Sequence, residues 1–127
     1  MSGRDRESAD DRYVSKFDQF AMDCQATQFI KMIGGRWKIQ IIWTLREGTF
    51  RFAALNRLLP GVTQAMLAQQ LRELEQDGLI ERKVWPVIPA HVDYSLSNQG
   101  HSLLGVLFQI NGWMLDHRSR PETVEAE

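Results

Sequence analysis

Residues 63–78 read TQAMLAQQLRELEQDG, and this stretch predicts an amphipathic helix with a single apolar stripe. Its leucines recur at every third or fourth position between 67 and 74, which at about 100° per residue places them within about 40° of one another. Thr63 can cap the helix and Gly78 can end it, because a hydroxyl accepts from free amides and glycine commonly stops a helix. The leucines must pack on the domain, so we expect the opposite side to face outward.

The outward side carries small and hydrogen-bonding residues where a solvated helix usually carries more charge. In a DNA major groove, arginine can bond guanine, glutamine can bond adenine, and alanine methyls can meet thymine methyls. Residues near the helix start can add phosphate contacts. The predicted DNA-contacting residues of this helix are Thr63, Gln64, Ala65, Ala68, Gln69 and Arg72. The alternative is an ordinary solvated face, and the helix alone does not separate the two interpretations.

The segments on both sides of this helix predict two more helices and a β-hairpin. Upstream, RWKIQIIWTLREG at 36–48 predicts a buried helix, and FRFAALNRLLPG at 50–61 predicts a short helix that stops before its Pro-Gly pair. Downstream, LIERKVW and HVDYSLS are rich in Val, Tyr and Trp, and they flank the proline-containing loop PVIPA at 86–90. Two helices joined by a short turn and followed at once by a hairpin form the order of a winged helix-turn-helix.

The predicted fold is therefore mainly α-helical with a small β-hairpin (α+β). The expected organisation is a disordered N-terminus at 1–8, one winged helix-turn-helix domain with N- and C-terminal dimerisation helices at 9–117, and a flexible tail at 118–127. The further helices are predicted at about 9–21, from Cys24 to about 32 with Asp23 as cap, and from a Ser97 or Asn98 cap to about 117. We expect the hairpin to hold all the strands.

Basic residues around the hairpin are candidates for contacts with DNA phosphates. Arg82, Lys83 and His91 flank the hairpin loop, which would act as a wing beside the groove, and Arg51 can reach phosphates from the first helix of the pair. The alternative is a charged, exposed hairpin, since surface arginines are common.

Length, charge and composition limit the class of protein. The chain has 127 residues and a net charge of -1, but residues 31–83 carry nine Lys and Arg against five Asp and Glu, a local charge of +4. A basic middle can bind a polyanion while the ends stay acidic. The single cysteine fits the reducing cytoplasm, and the sequence contains neither a membrane-spanning run nor a secretory signal.

Catalytic and metal-binding patterns do not stand out. The three histidines lie in a hairpin, at a helix start and near a helix end, and no Cys/His spacing suits zinc. No phosphate-binding glycine loop or nucleophile motif stands out either, so we expect no enzyme, no metal and no cofactor. A second alternative is a winged helix that contacts only proteins, because the same fold can serve that role.

The sequence resembles the HxlR-type branch of the MarR-like winged-helix transcriptional regulators. The matching stretches are IGGRWKIQIIWTL at 33–45 and the segment from FRFAALNRLLPG to DYSLSNQG at 50–100, with Cys24 upstream. The resemblance implies a bacterial homodimer that binds double-stranded DNA at a pseudo-palindromic operator and represses or activates transcription, with repression the expected sign. It also implies that the helix at 63–77 enters the major groove. Ala65 and Ala68 depart from the family, whose members often carry polar or basic residues there.

The apolar residues of the final helix predict a dimer independently of the family resemblance. HSLLGVLFQINGWMLDH at 101–117 has apolar residues on more than one stripe, whereas one stripe is enough to pack on a small domain. The alternative is a core-packed helix with Gly105 and Gly112 at close contacts. The resemblance also places the N-terminal and final helices at the dimer interface, for which the candidate residues are Phe17, Phe20, Leu103, Leu107, Ile110, Trp113 and Met114.

Cys24 is a candidate sensor of a small electrophile or oxidant. Some members of the resembling family sense such compounds through a cysteine just before the first core helix, and Cys24 matches that position. A place at a helix start lowers a thiol pKa, although the neighbouring Asp23 opposes this. The alternative is a small buried apolar residue.

Overall fold

The computed structural model describes residues 24–126 of the chain, with side chains described to residue 118. The chain divides into two compact units, 1–35 and 36–127. The predictions for 1–8 and 9–21, with Phe17, Phe20 and Asp23, lie outside the described residues. In the first unit, helix α1 spans Gln25–Ile33, one residue later than predicted at each end, with Cys24 before it.

The second unit has the predicted order of helices and hairpin, with one added strand. Its elements are α2 Lys38–Leu45, β1 Phe50–Arg51, α3 Phe52–Leu58, α4 Gln64–Gln76, β2 Ile80–Trp85, β3 His91–Leu96 and α5 Asn98–Ala126. The described residues thus form five helices and one three-stranded sheet. The winged helix-turn-helix fold predicted from the sequence is confirmed.

The core of the second unit is built from the apolar stripes that the sequence predicts. Its buried residues include Trp37, Ile41, Ile42, Leu45, Leu55, Leu59, Val62, Leu67, Leu71, Leu74, Leu79, Ile80, Leu96 and Leu107. Burying each such side chain contributes on the order of 1.5–3 kcal/mol. Leu58, the last residue of α3, is 52% exposed, whereas Leu55 of the same helix is fully buried.

The sheet contains a strand that the sequence did not predict. The antiparallel sheet has the order β1-β3-β2, with Phe50 opposite Tyr94 and Arg51 opposite Asp93. A two-residue strand is too short to show an alternating pattern, and it forms because β3 offers it a free edge. The expectation that the hairpin holds all the strands is therefore wrong, and Arg51 lies in β1 rather than in the helix that follows.

Both ends of α4 are fixed by hydrogen bonds that position it on the core. The Thr63 hydroxyl accepts from the Met66 amide at 3.0 Å, which confirms Thr63 as the cap. At the other end, Gly78 has a φ of 78°, and the Ser97 hydroxyl donates to its carbonyl at 2.6 Å. Ser97 also accepts from the Gly100 amide at 3.0 Å and so caps α5. One side chain thus ties the end of α4 to the start of α5.

Helix α5 is longer than predicted. Its backbone is helical from Asn98 to Ala126, whereas the charged sequence after His117 led us to end the helix near that residue. The extension contains Glu122, Glu125 and Ala126, which are residue types with high helix propensity. The expected flexibility of 118–127 stays a prediction.

Candidate nucleic-acid interface

Helix α4 presents a polar side outward, opposite its three buried leucines. Leu67, Leu71 and Leu74 are at most 2% exposed. The side chains that the sequence places on the other side are exposed at Thr63, Gln64, Ala65, Gln69 and Arg72, and half-buried at Ala68. A helix with this thin polar side has the dimensions and the donors that a DNA major groove accepts.

Two of these polar side chains belong to a network that begins in the core. Lys38 of α2 forms an ion pair with Glu73, with 2.6 Å between Nζ and Oε1. The other Glu73 oxygen, Oε2, accepts from Gln69 Nε2 at 2.6 Å. Gln69 Oε1 in turn accepts from Arg72 Nη1 at 2.7 Å. On the outward side of α4, Gln69 and Arg72 are therefore hydrogen-bonded to each other and, through Glu73, to the core.

The network also lowers the pKa of the Glu73 carboxyl. The largest cause is the hydrogen bond from Lys38, followed by the hydrogen bond from Gln69 and the charge of Lys38. Each favours the ionised carboxylate. Glu73 thus remains an acceptor for both partners at neutral pH.

The basic side chains of β2 point to opposite faces of the sheet. Side chains alternate along a strand, so Arg82 and Lys83 lie on opposite faces. Arg82 lines a cavity of about 310 Å³ together with residues of α4 and β3, namely Ala68, Leu71, Arg72, Glu75 and Tyr94. The predicted wing residue Arg82 is thus brought beside the predicted groove residue Arg72.

The other residues predicted to contact the DNA backbone lie near the Asp93 carboxylate in the sheet, and they are Arg51, Lys83 and His91. Asp93 lies 4.0 Å from Arg51 Nε and 3.9 Å from His91 Nε2, and it accepts from Trp85 Nε1 at 2.7 Å. Lys83 Nζ lies 3.9 Å from the centre of the Trp85 ring. Asp93 offsets part of the positive charge that the sequence assigned to this region.

Helix α5 exposes most of the apolar residues predicted at a dimer interface. Ile110, Trp113 and Met114 are 44–58% exposed, and Leu103 is half-buried. Leu107 differs, because it is only 4% exposed and has little area left for a partner. The spacing of apolar residues did not separate the stripe that packs on the core from the stripes that remain open.

In the first unit, the Cys24 thiol is exposed at the start of α1. The backbone N–H of Thr27 is the largest cause that lowers the pKa of this thiol, followed by the Thr27 hydroxyl and the backbone N–H of Ala26. This exposure contradicts the alternative of a buried apolar cysteine.

Comparison with known proteins identifies the family. The sequence model of the family described as HxlR-like helix-turn-helix matches residues 32–122, which is most of the chain. The chain belongs to the HxlR-like helix-turn-helix family. It is a transcriptional regulator of the helix-turn-helix type, as are its relatives, which are not enzymes.

Individual HxlR-like relatives agree in sequence and fold. The HTH-type transcriptional regulator YtcD of Bacillus subtilis (strain 168) is 46% identical over 91 residues, which cover 72% of each chain. A MarR-family transcriptional regulator from Enterococcus faecalis V583 is 32% identical, with a TM-score of 0.74 over 77% of this chain and 89% of that one. The redox regulator HypR in its reduced form is 35% identical, with a TM-score of 0.71 over 78% and 98% of the two chains.

The described part of this HxlR-like chain contains neither a membrane-spanning helix nor a group of metal-binding side chains. Within residues 24–126, none of the helices combines the length and apolarity that crossing a membrane requires. Among the described side chains, no three His, Cys, Asp or Glu residues lie close enough together to hold a metal ion.

Several residues around the HxlR-like interface escaped the sequence analysis. Glu73 stands four residues after Gln69 and one after Arg72, so its place in the local network was visible as helical spacing. Lys38 and Asp93 gave no comparable signal, because Lys38 pairs with a residue of α4, and Arg51 and Trp85 reach Asp93 from β1 and β2. Only the tertiary structure brings them to the interface.

Proposed function

We propose that the chain binds double-stranded DNA as a transcriptional regulator, with α4 lying in the major groove. The observation that carries this proposal is the exposed side of α4, where Gln64, Gln69 and Arg72 stand opposite three buried leucines. Arg72 is positioned to donate to guanine, and Ala65 and Ala68 keep the helix thin enough to approach the base edges. Thr63 and Gln64, at the helix start, contact phosphates.

The hairpin serves as a wing that contacts the DNA backbone. Arg82 lies next to Arg72, so it extends the basic surface from the helix to the sheet. Lys83, His91 and Arg51 approach phosphates from the other face, where Asp93 limits their combined charge. Such contacts position the protein without selecting a sequence, and salt weakens them.

The regulator acts as a homodimer joined mainly through α5. This helix has 29 residues and is about 43 Å long. Its exposed apolar side chains are Val106, Phe108, Ile110, Trp113, Met114 and Leu115. Val106, Ile110 and Trp113 share one side of the helix at its 3.6-residue period, and an exposed apolar group of this kind marks an interaction site. Two-fold symmetry would present two α4 helices to half-sites about 34 Å apart.

Sedimentation or light scattering of Trp113→Glu tests the dimer. The charged side chain is expected to shift the protein toward the monomer because it cannot be buried unpaired between two α5 helices. Ile88→Glu is the matched control, since Ile88 is fully exposed but lies on the wing. Wild-type protein that sediments as a monomer at all concentrations would overturn the dimer.

Footprinting on the DNA that flanks the protein's own gene tests the DNA proposal. We expect protection of a pseudo-palindromic site in which two half-sites lie one helical turn apart. Transcription in vitro from the same fragment tests repression, which is the sign we propose. A bacterial regulator of this kind acts on the chromosome in the cytoplasm. Absence of any protected site, with a protein partner captured through α4 instead, would favour the winged helix that contacts only proteins.

A second function follows from Cys24, which we propose as the site where an oxidant or electrophile alters DNA affinity. An exposed thiol with a lowered pKa holds more of the reactive thiolate. The structural neighbour HypR is itself named a redox regulator. As the sole cysteine, Cys24 would form an adduct, a sulfenic acid, a mixed disulfide or a bond to the partner chain. Diamide or a quinone should change operator affinity in the wild type and leave Cys24→Ser unchanged, and equal responses would exclude this function.

A further inference from the structure

We propose that Lys38 and Glu73 are positioning residues that hold Arg72 in the orientation in which it contacts a base. The inference rests on the proposed DNA-binding function and adds a core residue to the determinants of sequence preference. Lys38 is only 8% exposed and belongs to α2, so it does not lie on the surface offered to DNA. The contact that links it to the exposed side of α4 is its ion pair with Glu73.

The contacts fix the direction of the Gln69 amide. The two oxygens of Glu73 have separate partners, Lys38 on Oε1 and Gln69 on Oε2. A carboxylate accepts hydrogen bonds, so the Gln69 NH₂ group must face Glu73 and its oxygen must face away. That oxygen is where the Arg72 guanidinium donates. The reversed amide would place an oxygen against the carboxylate and an NH₂ group against the guanidinium.

This arrangement gives Gln69 and Arg72 different tasks. Gln69 is bonded to protein at both ends of its amide, so we assign it to supporting Arg72 and assign the base contact to Arg72. Arg72 uses one donor on Gln69 and keeps the others of its planar fork for the two acceptors of guanine. An arginine that is held in place loses less freedom on binding than one that moves in solvent.

Lys38 anchors the network because a buried ammonium needs a partner. Burying a charge without one is strongly unfavourable, and this requirement ties Glu73 to the side of α4 that faces α2. Glu73 accepts from Gln69, which lies one helical turn earlier, and Gln69 accepts from Arg72 on the exposed side of α4. The buried Lys38 thereby determines the position of the Arg72 guanidinium.

Selection from DNA with randomised half-sites, followed by affinity measurements at one salt concentration, tests the proposal. The variants are Lys38→Met, which keeps an unbranched buried side chain, and Glu73→Gln. Both are expected to reduce, on the order of tenfold, the preference at the base pair where Arg72→Ala loses its preference. Glu47→Gln is the matched control, because Glu47 is an exposed carboxylate that pairs with Arg46 at 3.4 Å and belongs neither to the network nor to the candidate interface. It should keep the wild-type preference.

A double variant separates positioning from a general structural role. If Glu73 acts through Arg72, Glu73→Gln will change the preference in the wild type and leave it unchanged when Arg72 is already alanine. Independent losses in the two backgrounds would overturn the inference. Unchanged preferences at every base pair in folded Lys38→Met and Glu73→Gln would overturn it as well.

Nuclear magnetic resonance on the DNA-free wild type keeps the proposal testable if a variant fails to fold. The Arg72 guanidinium and the Gln69 amide should show restricted motion, and unrestricted motion on the nanosecond timescale would overturn the inference. A wild-type protein that selects no DNA sequence would instead overturn the proposed function. In that case the resonance measurement still shows whether the network exists.

Discussion

Helix α4 and the hairpin wing belong to one candidate interface, but the protein holds them in different ways. Helix α4 has three leucines in the core, a hydroxyl cap at Thr63 and an ion pair to buried Lys38. The wing is joined to the core at its base, through Ile80 and Leu96, and is otherwise mostly exposed. Among its basic residues, His91 lies 3.9 Å from Asp93 and Lys83 lies over the Trp85 ring.

This difference matches the two kinds of contact that we propose. Hydrogen bonds to base edges need donors at fixed positions, and α4 derives that rigidity from the core. Attraction to phosphates depends on charge and tolerates motion, so a hairpin held mainly by its own ladder is sufficient. The contrast predicts that changes in α4 alter stability and sequence preference, whereas changes in the wing alter general affinity.

The largest expected effect is on stability. Leu67→Ala should lower the free energy of unfolding by about 2–5 kcal/mol, because it removes a fully buried leucine and leaves a cavity beneath α4. Val84→Ala in the wing, where the side chain is 51% exposed, should cost under about 1 kcal/mol. Urea unfolding at one protein concentration measures both. Equal losses would show that the wing is fixed to the core as firmly as α4.

The next effect is on sequence preference. Arg72→Ala should weaken binding to the selected operator by about 1–3 kcal/mol and binding to scrambled DNA much less. Arg72→Lys is the control, because lysine keeps the charge but lacks the fork that bonds both guanine acceptors. It should lose preference and retain general affinity. If Arg72→Ala weakened both DNAs equally, Arg72 would be a phosphate contact and the contrast with the wing would disappear.

A smaller effect is expected from the wing. Lys83→Ala should weaken all DNA alike and reduce the slope of log affinity against log salt by about one for each protomer. Lys83→Arg should retain the wild-type slope, since it keeps the charge. Fluorescence anisotropy titrations across a range of salt concentrations provide the slope. A slope unaffected by Lys83→Ala would remove this face of the wing from the interface.

The smallest effect concerns acid. Lys38 and Gln69 lower the pKa of Glu73 below its ordinary value of 4.5, so its contribution to stability is present above that pH and is lost as the pH falls through the lowered value. The stability difference between the wild type and Glu73→Gln should therefore shrink as the pH falls below 4.5. Unfolding curves across this range measure it. A difference that grows on acidification would contradict the assigned ion pair.

Much of the fold followed from local patterns. The leucine stripe of α4, the Thr63 cap and the prolines of the hairpin loop each act within a few residues, so their signals survive in the sequence. The sequence did not predict strand β1, because two residues are too few to show a periodic pattern and their partners in β3 are more than 40 positions away. The sequence predicts too early an end for α5, because the charged residues after His117 do not stop the helix.

The sequence by itself determined the order of elements and which side of α4 is apolar, since helical period and capping are properties of neighbouring residues. The tertiary structure alone decided that Lys38 pairs with Glu73, that Arg51 lies 4.0 Å from Asp93, and that Leu107 packs inward while Trp113 stays exposed. Each of these facts joins residues distant in the chain, or divides one helix by what lies against it. Such relations depend on how elements pack, and no local pattern encodes them.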